Sequence, residues 1–393
     1  MKRVAFVTQR YGLEVNGGAE LQCRLLAEHL CGRYEVEAIS TKAIDYVTWK
    51  DEYTEDQEVM NGVLVRRFSV EKPRDNAAFN RFSEKVFSRD GGISEQEQWM
   101  DLQGPHSEAL IRYLAEHIDD YDAFVFCCYL YYPTYYGLKA VGKKAILISD
   151  AHDELPIHLG IFRNMFTWPA AFFFNTKEEK RFVESKFAVA GKPDNDGLGG
   201  VGIDLPQEVR AERFYKKFGL KNFILYIGRI EEHKGCKEMF QYFAELKKRH
   251  PEELADVKLV LMGKAVMEVP ESDDIVELGF VSEEDKYDGI AACSFLWLPS
   301  KYESLSIVVL EAMALQKPVV IDADCEVVRG HCIRSNGGLY YRGFFEFEGC
   351  VMYLQEHAEQ AALMGQNGQA YVEKYYAWDA IVERLAGLIE KVS

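Results

Sequence analysis

Two glutamates separated by seven residues form the most informative motif of the chain. They are Glu303 and Glu311 of the segment Pro299-Ser-Lys-Tyr-Glu-Ser-Leu-Ser-Ile-Val-Val-Leu-Glu311. Residues 307–315 are otherwise almost entirely apolar, which predicts a buried helix that begins near Ser304 or Ser306. A buried carboxylate needs hydrogen-bond donors, and the hydroxyls of a polyol such as ribose supply them. Glu303 would then face a second polyol; the alternative for Glu311 is an internal pair with an arginine.

Two cations lie in one short loop, Gly228-Arg229-Ile-Glu-Glu-His-Lys234-Gly235, between a predicted strand and a predicted helix. Arg229 and Lys234 together with the positive end of a helix can bind a diphosphate, including one that leaves during a reaction. The alternative is an ordinary solvated basic loop.

Two further segments follow predicted strands in the N-terminal half. Gly17 and Gly18 stand between a strand and a helix, where bare backbone lets a ligand approach and the helix N-terminus favours an anion. His152 follows the strand 145–148 and can donate to a substrate hydroxyl or transfer a proton. A tight turn and a surface histidine are the simpler interpretations.

Short apolar runs alternate with helical patterns along the chain, which predicts α/β domains with parallel sheets. The predicted strands are 4–8, 35–40, 63–68, 123–127, 145–148 and 171–175 in a first series, and 223–227, 258–262, 275–278, 295–298 and 318–321 in a second. A Gly-, Pro- and Asp-rich segment, 190–200, separates the two series. We predict two doubly wound, Rossmann-like domains on either side of a cleft, covering 1–205 and 206–375.

Composition excludes several classes of function. The 393 residues contain 63 Asp and Glu against 46 Lys and Arg, a net charge of −17 that disfavours nucleic-acid binding. Nine scattered cysteines, an odd number without C-x-x-C, indicate a reduced chain rather than a disulfide or zinc scaffold. No signal peptide or membrane span is predicted, so we expect a cytoplasmic protein.

One stretch departs from the acidic trend. Val65–Arg89 holds seven basic and three acidic residues, with Phe79, Phe82 and Val86 at helical spacing. A basic amphipathic helix of this kind can rest on anionic lipid at the inner face of the membrane and collect a lipid-linked acceptor. The alternative is a solvated helix whose apolar side lies in the core.

In the order and spacing of these motifs the chain resembles the retaining family 4 glycosyltransferases of GT-B fold. The resemblance rests on Gly17-Gly18, the Arg229/Lys234 loop and the Glu303/Glu311 pair. Residues 201–204, 278–282, 317–320 and 336–339 also fit the family's pattern. The chain departs from the family's pattern at Ser304 and Ser306, where the family commonly has glycine.

The resemblance implies a role for each motif. The first domain would bind a glycan or lipid-linked acceptor, the second a nucleotide-diphosphate sugar, and the last helix, 376–393, would cross back to the first domain. The residues assigned to the donor are Gly17, Gly18, Arg229, Lys234, Phe280, Val281, Glu303, Ser304, Leu305, Ser306 and Glu311. The catalytic residues would be His152 at the reacting sugar, Glu303 on the transferred sugar, and Arg229 and Lys234 on the leaving diphosphate.

The implied reaction is glycosyl transfer with retention, in cell-surface polysaccharide biosynthesis. Asp322-Ala-Asp324 is a D-x-D sequence of the kind that binds metals, but GT-B enzymes generally do not need that metal, and we predict none. Two other functions stay open: a sugar-nucleotide epimerase of the same architecture, and a catalytically silent sugar-nucleotide-binding protein.

Overall fold

The computed structural model describes residues 1–15, 17–89 and 91–393. They divide into two compact units: a first unit of Met1–Val201 with Trp378–Ser393, and a second unit of Gly202–Ala377. Each unit is described by itself below.

The first unit contains a sheet of seven strands. They are β1 (Arg3–Val7), β2 (Glu35–Thr41), β3 (Gln57–Met60), β4 (Val63–Phe68), β5 (Ala123–Cys127), β6 (Ala145–Ile148) and β7 (Ala171–Phe172), in the order β3-β4-β2-β1-β5-β6-β7. All neighbouring strands are parallel except β3, which pairs antiparallel with β4. The central strands are buried on both faces, as a sheet covered by helices requires.

Helices connect and cover these strands. They are α1 (Gly18–Leu30), α2 (Asn76–Phe87), α3 (Ile93–Gln103), α4 (Glu108–Glu116), α5 (Tyr132–Val141), α6 (Gly160–Met165) and α7 (Lys177–Lys186).

The second unit contains a parallel sheet of six strands. They are β8 (Phe223–Ile227), β9 (Lys258–Met262), β10 (Ile275–Gly279), β11 (Phe295–Leu298), β12 (Val319–Asp322) and β13 (Gly338–Tyr341), in the order β10-β9-β8-β11-β12-β13. The helices are α8 (Ala211–Phe218), α9 (Cys236–Arg249), α10 (Glu283–Ala292), α11 (Ile307–Ala314), α12 (Glu326–Ser335), α13 (Phe344–Glu356) and α14 (Ala358–Tyr375).

A last helix, α15 (Trp378–Val392), belongs to the first unit although it follows the second in the chain. Its residues Ile381, Leu385 and Ile389 are fully buried, and the Trp378 ring stacks on His29 of α1 at 3.5 Å between centroids. An amphipathic helix with this apolar face needs a core to cover it, and the first unit provides one.

The predicted fold class is confirmed, and two strands are present that the sequence pattern did not predict. β3 is a half-exposed polar strand at a sheet edge, joined to β4 by the turn Asn61-Gly62, in which both residues have positive φ. An Asn-Gly turn between two strands is a hairpin signal, so β3 was detectable from it. β13 is a short edge strand with an irregular burial pattern.

Candidate functional site

Loops of the second unit meet at the carboxyl end of its sheet because glycines let their backbones touch. A Cβ on Gly235, which has φ +76°, would lie 2.4 Å from the Pro299 carbonyl oxygen. A Cβ on Gly263 would lie 2.0 Å from the Gly228 carbonyl oxygen. Real Cβ atoms do not approach this closely, so glycine is required at both positions. The segments 228–235 and 299–306 are thereby held against each other.

Lys234 and Glu303 form an ion pair in this loop cluster. The Lys234 Nζ lies 2.8 Å from Glu303 Oε1, with side chains 28% and 14% exposed. The sequence motifs place the two residues on different parts of a ligand, and the structure brings them into contact. An ammonium group has three N–H donors, so Lys234 keeps donors for a further anion.

Arg229 lies in the same loop as Lys234. Its guanidinium is nearly half exposed and pairs with Glu231 Oε1 at 3.0 Å, while its backbone carbonyl accepts a hydrogen bond from the Tyr226 hydroxyl at 2.7 Å. The buried tyrosine therefore fixes the backbone of a residue whose charge faces solvent.

Glu311 is buried on α11 and is paired inside the second unit. Its Oε1 accepts from Lys286 Nζ at 2.9 Å and from the Tyr287 hydroxyl at 2.8 Å, both on α10. The internal partner is thus a lysine with a tyrosine, not the arginine considered from the sequence. Burial alone would lower the pKa of Lys286, but the charges of Glu311 and Glu283 outweigh it and the net shift is upward. Across the described ranges, Oε2 of Glu311 receives no hydrogen bond.

The loop before α11 contains a backbone conformation that glycine adopts more easily than serine. Ser306 is at φ 63°, in the left-handed region, at the N-terminal cap of α11. Its side chain does not cap the helix, and its buried Oγ has no partner among residues 1–15, 17–89 and 91–393. Leu305 is buried and Ser304 is half-buried.

His331 of α12 is fully buried and was not among the residues predicted from the sequence. Its Nε2 lies 3.0 Å from the Leu305 carbonyl oxygen, and its Nδ1 lies 3.0 Å from the Tyr371 hydroxyl. Burial and the nearby Arg334 charge lower the pKa of His331 to about 3, so the ring is neutral. The only available signal was a histidine beside apolar residues of a helix, which is usually a core residue.

Phe280 and Val281 lie between β10 and α10. Phe280 is 79% exposed and Val281 is half-buried. The preceding Gly279 has φ +67°, and its carbonyl accepts from the Gly263 amide at 2.8 Å, so this turn belongs to the same loop cluster.

Gly17 and Gly18 lie at the N-terminus of α1, in the first unit. A Cβ on Gly17 would lie 2.1 Å from Glu20 Oε2, whereas one on Gly18 would meet nothing within 4 Å. Glu20, in the first turn, is buried and accepts from Arg10 at 2.6 Å and from Gln9 at 2.8 Å. Gly17 leaves room for this carboxylate, and Gly18 leaves bare backbone.

His152 lies in the loop after β6, with 29% of its side chain exposed. Its Nδ1 is 3.3 Å from the Asp150 carbonyl oxygen and its Nε2 is 3.5 Å from Glu154 Oε2. Burial alone would raise the pKa of Glu154, but hydrogen bonds and charge from His152 and a hydrogen bond from Tyr129 bring it below its usual value. His152 therefore has a carboxylate partner within its own loop.

Asp322 and Asp324 of the D-x-D sequence do not form a shared carboxylate site. Asp322 is buried at the end of β12, where its Oδ1 accepts from the Asp324 backbone amide at 2.8 Å, and Asp324 pairs with Arg342 at 3.2 Å. Within the described part of the chain, no group of three His, Cys, Asp or Glu side chains is placed to hold a metal ion.

The basic stretch Val65–Arg89 contributes to the first unit's interior. Val86 is buried, and Phe79 and Phe82 of α2 pack against the core. Arg74 donates to three backbone carbonyls, and Lys85 and Arg89 both pair with Glu95 at 2.7 Å. Over the residues with a described structure, no helix is long and apolar enough to cross a membrane.

Comparisons with known proteins relate part of the chain to a family. Residues 210–337 match the family described as glycosyl transferases group 1. The chain is 27% identical over 202 residues, 48% of its length, to an alpha-D-kanosaminyltransferase from Streptomyces kanamyceticus, of which the match spans about half (51%). It is 29% identical over 337 residues to an uncharacterized glycosyltransferase of Methanocaldococcus jannaschii, covering 82% of this chain and 80% of that one.

A solved structure has the same architecture. The crystal structure of Anabaena HepE in complex with UDP-glucose aligns over 100% of both chains, with a TM-score of 0.69 and 15% sequence identity. An identity this low reports on the fold alone. The chain therefore has the GT-B fold, and its residues 210–337 match the group 1 glycosyl transferases.

Proposed function

We propose that the chain is a retaining glycosyltransferase that moves a sugar from a nucleotide-diphosphate sugar to a glycan or lipid-linked glycan. The observation that carries the proposal is the Lys234–Glu303 ion pair in a loop cluster that also contains Arg229 and precedes Glu311. Cations and carboxylates at the carboxyl end of a parallel sheet suit a ligand with a diphosphate at one end and hydroxyls at the other.

In this proposal the charged groups of the second unit can still bind the donor, although they already have partners. Lys234 has N–H donors beyond the one that Glu303 accepts, and these bind the diphosphate with Arg229. Oε2 of Glu311 accepts from a ribose hydroxyl, because Lys286 and Tyr287 occupy only Oε1. Glu303 accepts a hydrogen bond from the sugar. The phosphate and the sugar are lined by Ser304, Leu305 and Ser306. The backbone at Phe280 and Val281 contacts the base.

The reaction breaks the bond between the anomeric carbon and the β-phosphate oxygen, and the acceptor hydroxyl oxygen forms the new bond. The diphosphate leaves with an added negative charge, which Arg229 and Lys234 stabilise. In this front-face attack the proton of the acceptor hydroxyl passes to the leaving diphosphate. His152 of the first unit donates to a hydroxyl of the reacting sugar. We assign no step to a metal, because these two cations supply the required charge.

The acceptor is assigned to the first unit, and Gly17 and Gly18, at the N-terminus of α1, are assigned to the donor. A role in cell-surface polysaccharide synthesis rests on the family resemblance. Contact of Val65–Arg89 with a membrane stays a prediction; flotation with anionic vesicles tests it, and salt-insensitive or absent binding would contradict it.

A ligand screen tests the proposed function. We expect one of UDP, GDP, TDP or ADP, or the matching sugar nucleotide, to raise the melting temperature by a few degrees at about 100 times its dissociation constant, with and without EDTA. UDP and UDP-glucose come first, because the similar Anabaena structure holds UDP-glucose. A chain that responds to none of them contradicts the proposal. Incubation with the donor in the absence of an acceptor then distinguishes the three functions. A transferase hydrolyses the donor slowly, an epimerase interconverts its sugar, and a silent binding protein leaves it unchanged.

Glu311→Gln tests the placement of the ribose. The amide keeps the size of the side chain but offers one neutral acceptor, so we expect the affinity for the responding nucleotide to fall about tenfold or more. Glu359→Gln, an exposed position on α14, is the control. Unchanged affinity in a folded Glu311→Gln protein would remove Glu311 from the site.

A further inference from the structure

The loop 303–306 is hydrogen-bonded to helix α12 of the second unit through the Leu305 carbonyl. Glu303 is held by Lys234 on one side, and α11 begins after Ser306 on the other. Between them the buried Leu305 directs its carbonyl oxygen to His331 Nε2, at 3.0 Å. His331 lies on α12, so this hydrogen bond joins the loop to an element outside the loop cluster.

The protonation pattern of this connection follows from its partners. A carbonyl can only accept, so Nε2 of His331 must carry the proton and Nδ1 must accept. The Tyr371 hydroxyl, 3.0 Å away on α14, donates to Nδ1, and Arg334 Nε donates to the Tyr371 oxygen at 3.3 Å. Each group therefore donates a hydrogen bond to the next in the series Arg334, Tyr371, His331 and Leu305. The His331 ring has a single tautomer.

The loop that this series holds contains a strained residue, Ser306, with a buried hydroxyl group. Ser306 sits at φ 63°, a conformation that is unfavourable for a residue with a Cβ. Its Oγ is buried, and no residue in the described ranges of the chain hydrogen-bonds to it. A buried hydroxyl without a partner is costly, and a polar ligand at this loop would satisfy it.

We propose that His331 is a positioning residue for the donor: by fixing the Leu305 carbonyl, with Tyr371 fixing its tautomer, it holds Ser304–Ser306 in the conformation that binds the diphosphate. This inference rests on the proposed function. His331 does not touch the donor itself and acts through the loop. The alternative is that His331 is a core histidine, whose loss lowers the stability of the protein without changing the conformation of the loop.

Two substitutions separate these interpretations. In His331→Gln the side-chain amide can reach the position of Nε2 and donate to Leu305, whereas the shorter amide of His331→Asn stays near Nδ1 and cannot. We expect the affinity for UDP, or for whichever nucleoside diphosphate the wild type binds, to fall about tenfold in His331→Asn and to recover in His331→Gln. The affinity for the corresponding monophosphate, measured by titration calorimetry, should change much less.

Tyr371→Phe keeps the inference testable if His331→Asn does not fold. It leaves the ring in place but removes the donor to Nδ1, and we expect a loss of diphosphate affinity of about threefold to tenfold. Equal diphosphate affinity in the wild type and in every folded variant overturns the inference, as does a parallel loss for monophosphate and diphosphate. A wild-type chain that binds no nucleotide overturns the proposed function, and this inference with it.

Discussion

At the scale of single residues, the charged groups of the candidate site already have partners within their own unit. Lys234 pairs with Glu303, Arg229 with Glu231, and Glu311 with Lys286. A buried or half-buried charge is stable only when it is paired, so the protein itself neutralises the groups that a donor binds. A ligand therefore shares these contacts rather than meeting bare charges, which favours specificity over affinity.

A buried aspartate in the first unit gives a pH-dependent prediction. Asp150 follows β6, accepts from Asn175 Nδ2 at 2.7 Å, and is 7% exposed. Burial and the neighbouring Glu179 carboxylate raise its pKa from 3.8 to about 7. In the unfolded chain Asp150 ionises near its ordinary value. The folded state therefore binds more protons between pH 4 and 7, and stability falls as pH rises through that window.

We expect Asp150→Asn to be more stable than the wild type by about 2 kcal/mol or more at pH 8, and equally stable near pH 4. Asparagine removes the buried charge, keeps an acceptor for Asn175, and tolerates the left-handed backbone at φ 53°. Denaturant unfolding across this pH range measures the effect. Asp196→Asn is the control, because Asp196 has φ 57° but an 88% exposed side chain. A less stable Asp150→Asn protein at pH 8 would contradict the burial argument.

At the scale of elements, the loops depend on backbone conformations that only a few residues allow. The loop after β8 reaches the loop after β11 because Gly235 has no Cβ to meet the Pro299 carbonyl. The start of α11 depends on a left-handed Ser306, where a glycine would be unstrained. The helices and strands fix where each loop begins, while these single positions fix how closely two loops approach.

Gly235→Ala tests this contact against backbone strain alone. Gly235 and Gly219 have nearly the same φ, +76° and +72°, but a Cβ on Gly219 meets nothing within 4 Å. Both alanine variants should lose about 1–2 kcal/mol from the left-handed backbone. Gly235→Ala should lose more in denaturant unfolding, and it should also lose nucleotide affinity because the two loops must separate. Equal losses in the two variants would show that the Pro299 contact is unimportant.

At the scale of the whole molecule, the first folded unit is not continuous in the sequence. The first unit is completed by α15, which lies against α1 and β6. Lys2 at the start of the chain pairs with Glu390 of α15 at 2.6 Å, and Arg33 pairs with Glu383 at 2.5 Å. The stability of the first unit therefore depends on residues that follow the complete second unit in the chain.

Leu385→Ala should loosen the first unit selectively. Leu385 is fully buried, and its truncation should cost about 2–5 kcal/mol. Hydrogen exchange should accelerate in β1 and β6 and stay slow in β8 and β9. Val351→Ala, at an equally buried position on α13 of the second unit, should show the opposite distribution. Faster exchange in β8 and β9 of Leu385→Ala would contradict the assignment of α15 to the first unit.

Much of the architecture could be predicted from the sequence because its signals are local. Strands buried on both faces, such as β1, β6 and β8, are continuous apolar runs, and they are followed by Gly18, His152 and the Arg229/Lys234 pair, respectively. β3 and β13 were missed because edge strands need not be apolar on both faces. The Glu303/Glu311 spacing and the glycines likewise depend only on residues close in sequence, so the family resemblance is readable from the amino-acid sequence alone.

Which side chains meet depends on tertiary packing. The partners of Glu311 lie 24 and 25 residues earlier in the chain, and His331 contacts Leu305 across 26 residues. Spacing along the chain does not encode such contacts, because they depend on how α10, α12 and α14 pack around α11. For the same reason the sequence could not show that Lys234 and Glu303, 69 residues apart, form one ion pair. Local sequence specifies the elements and the types of charge at their ends, and the packing of those elements selects the partner of each charge.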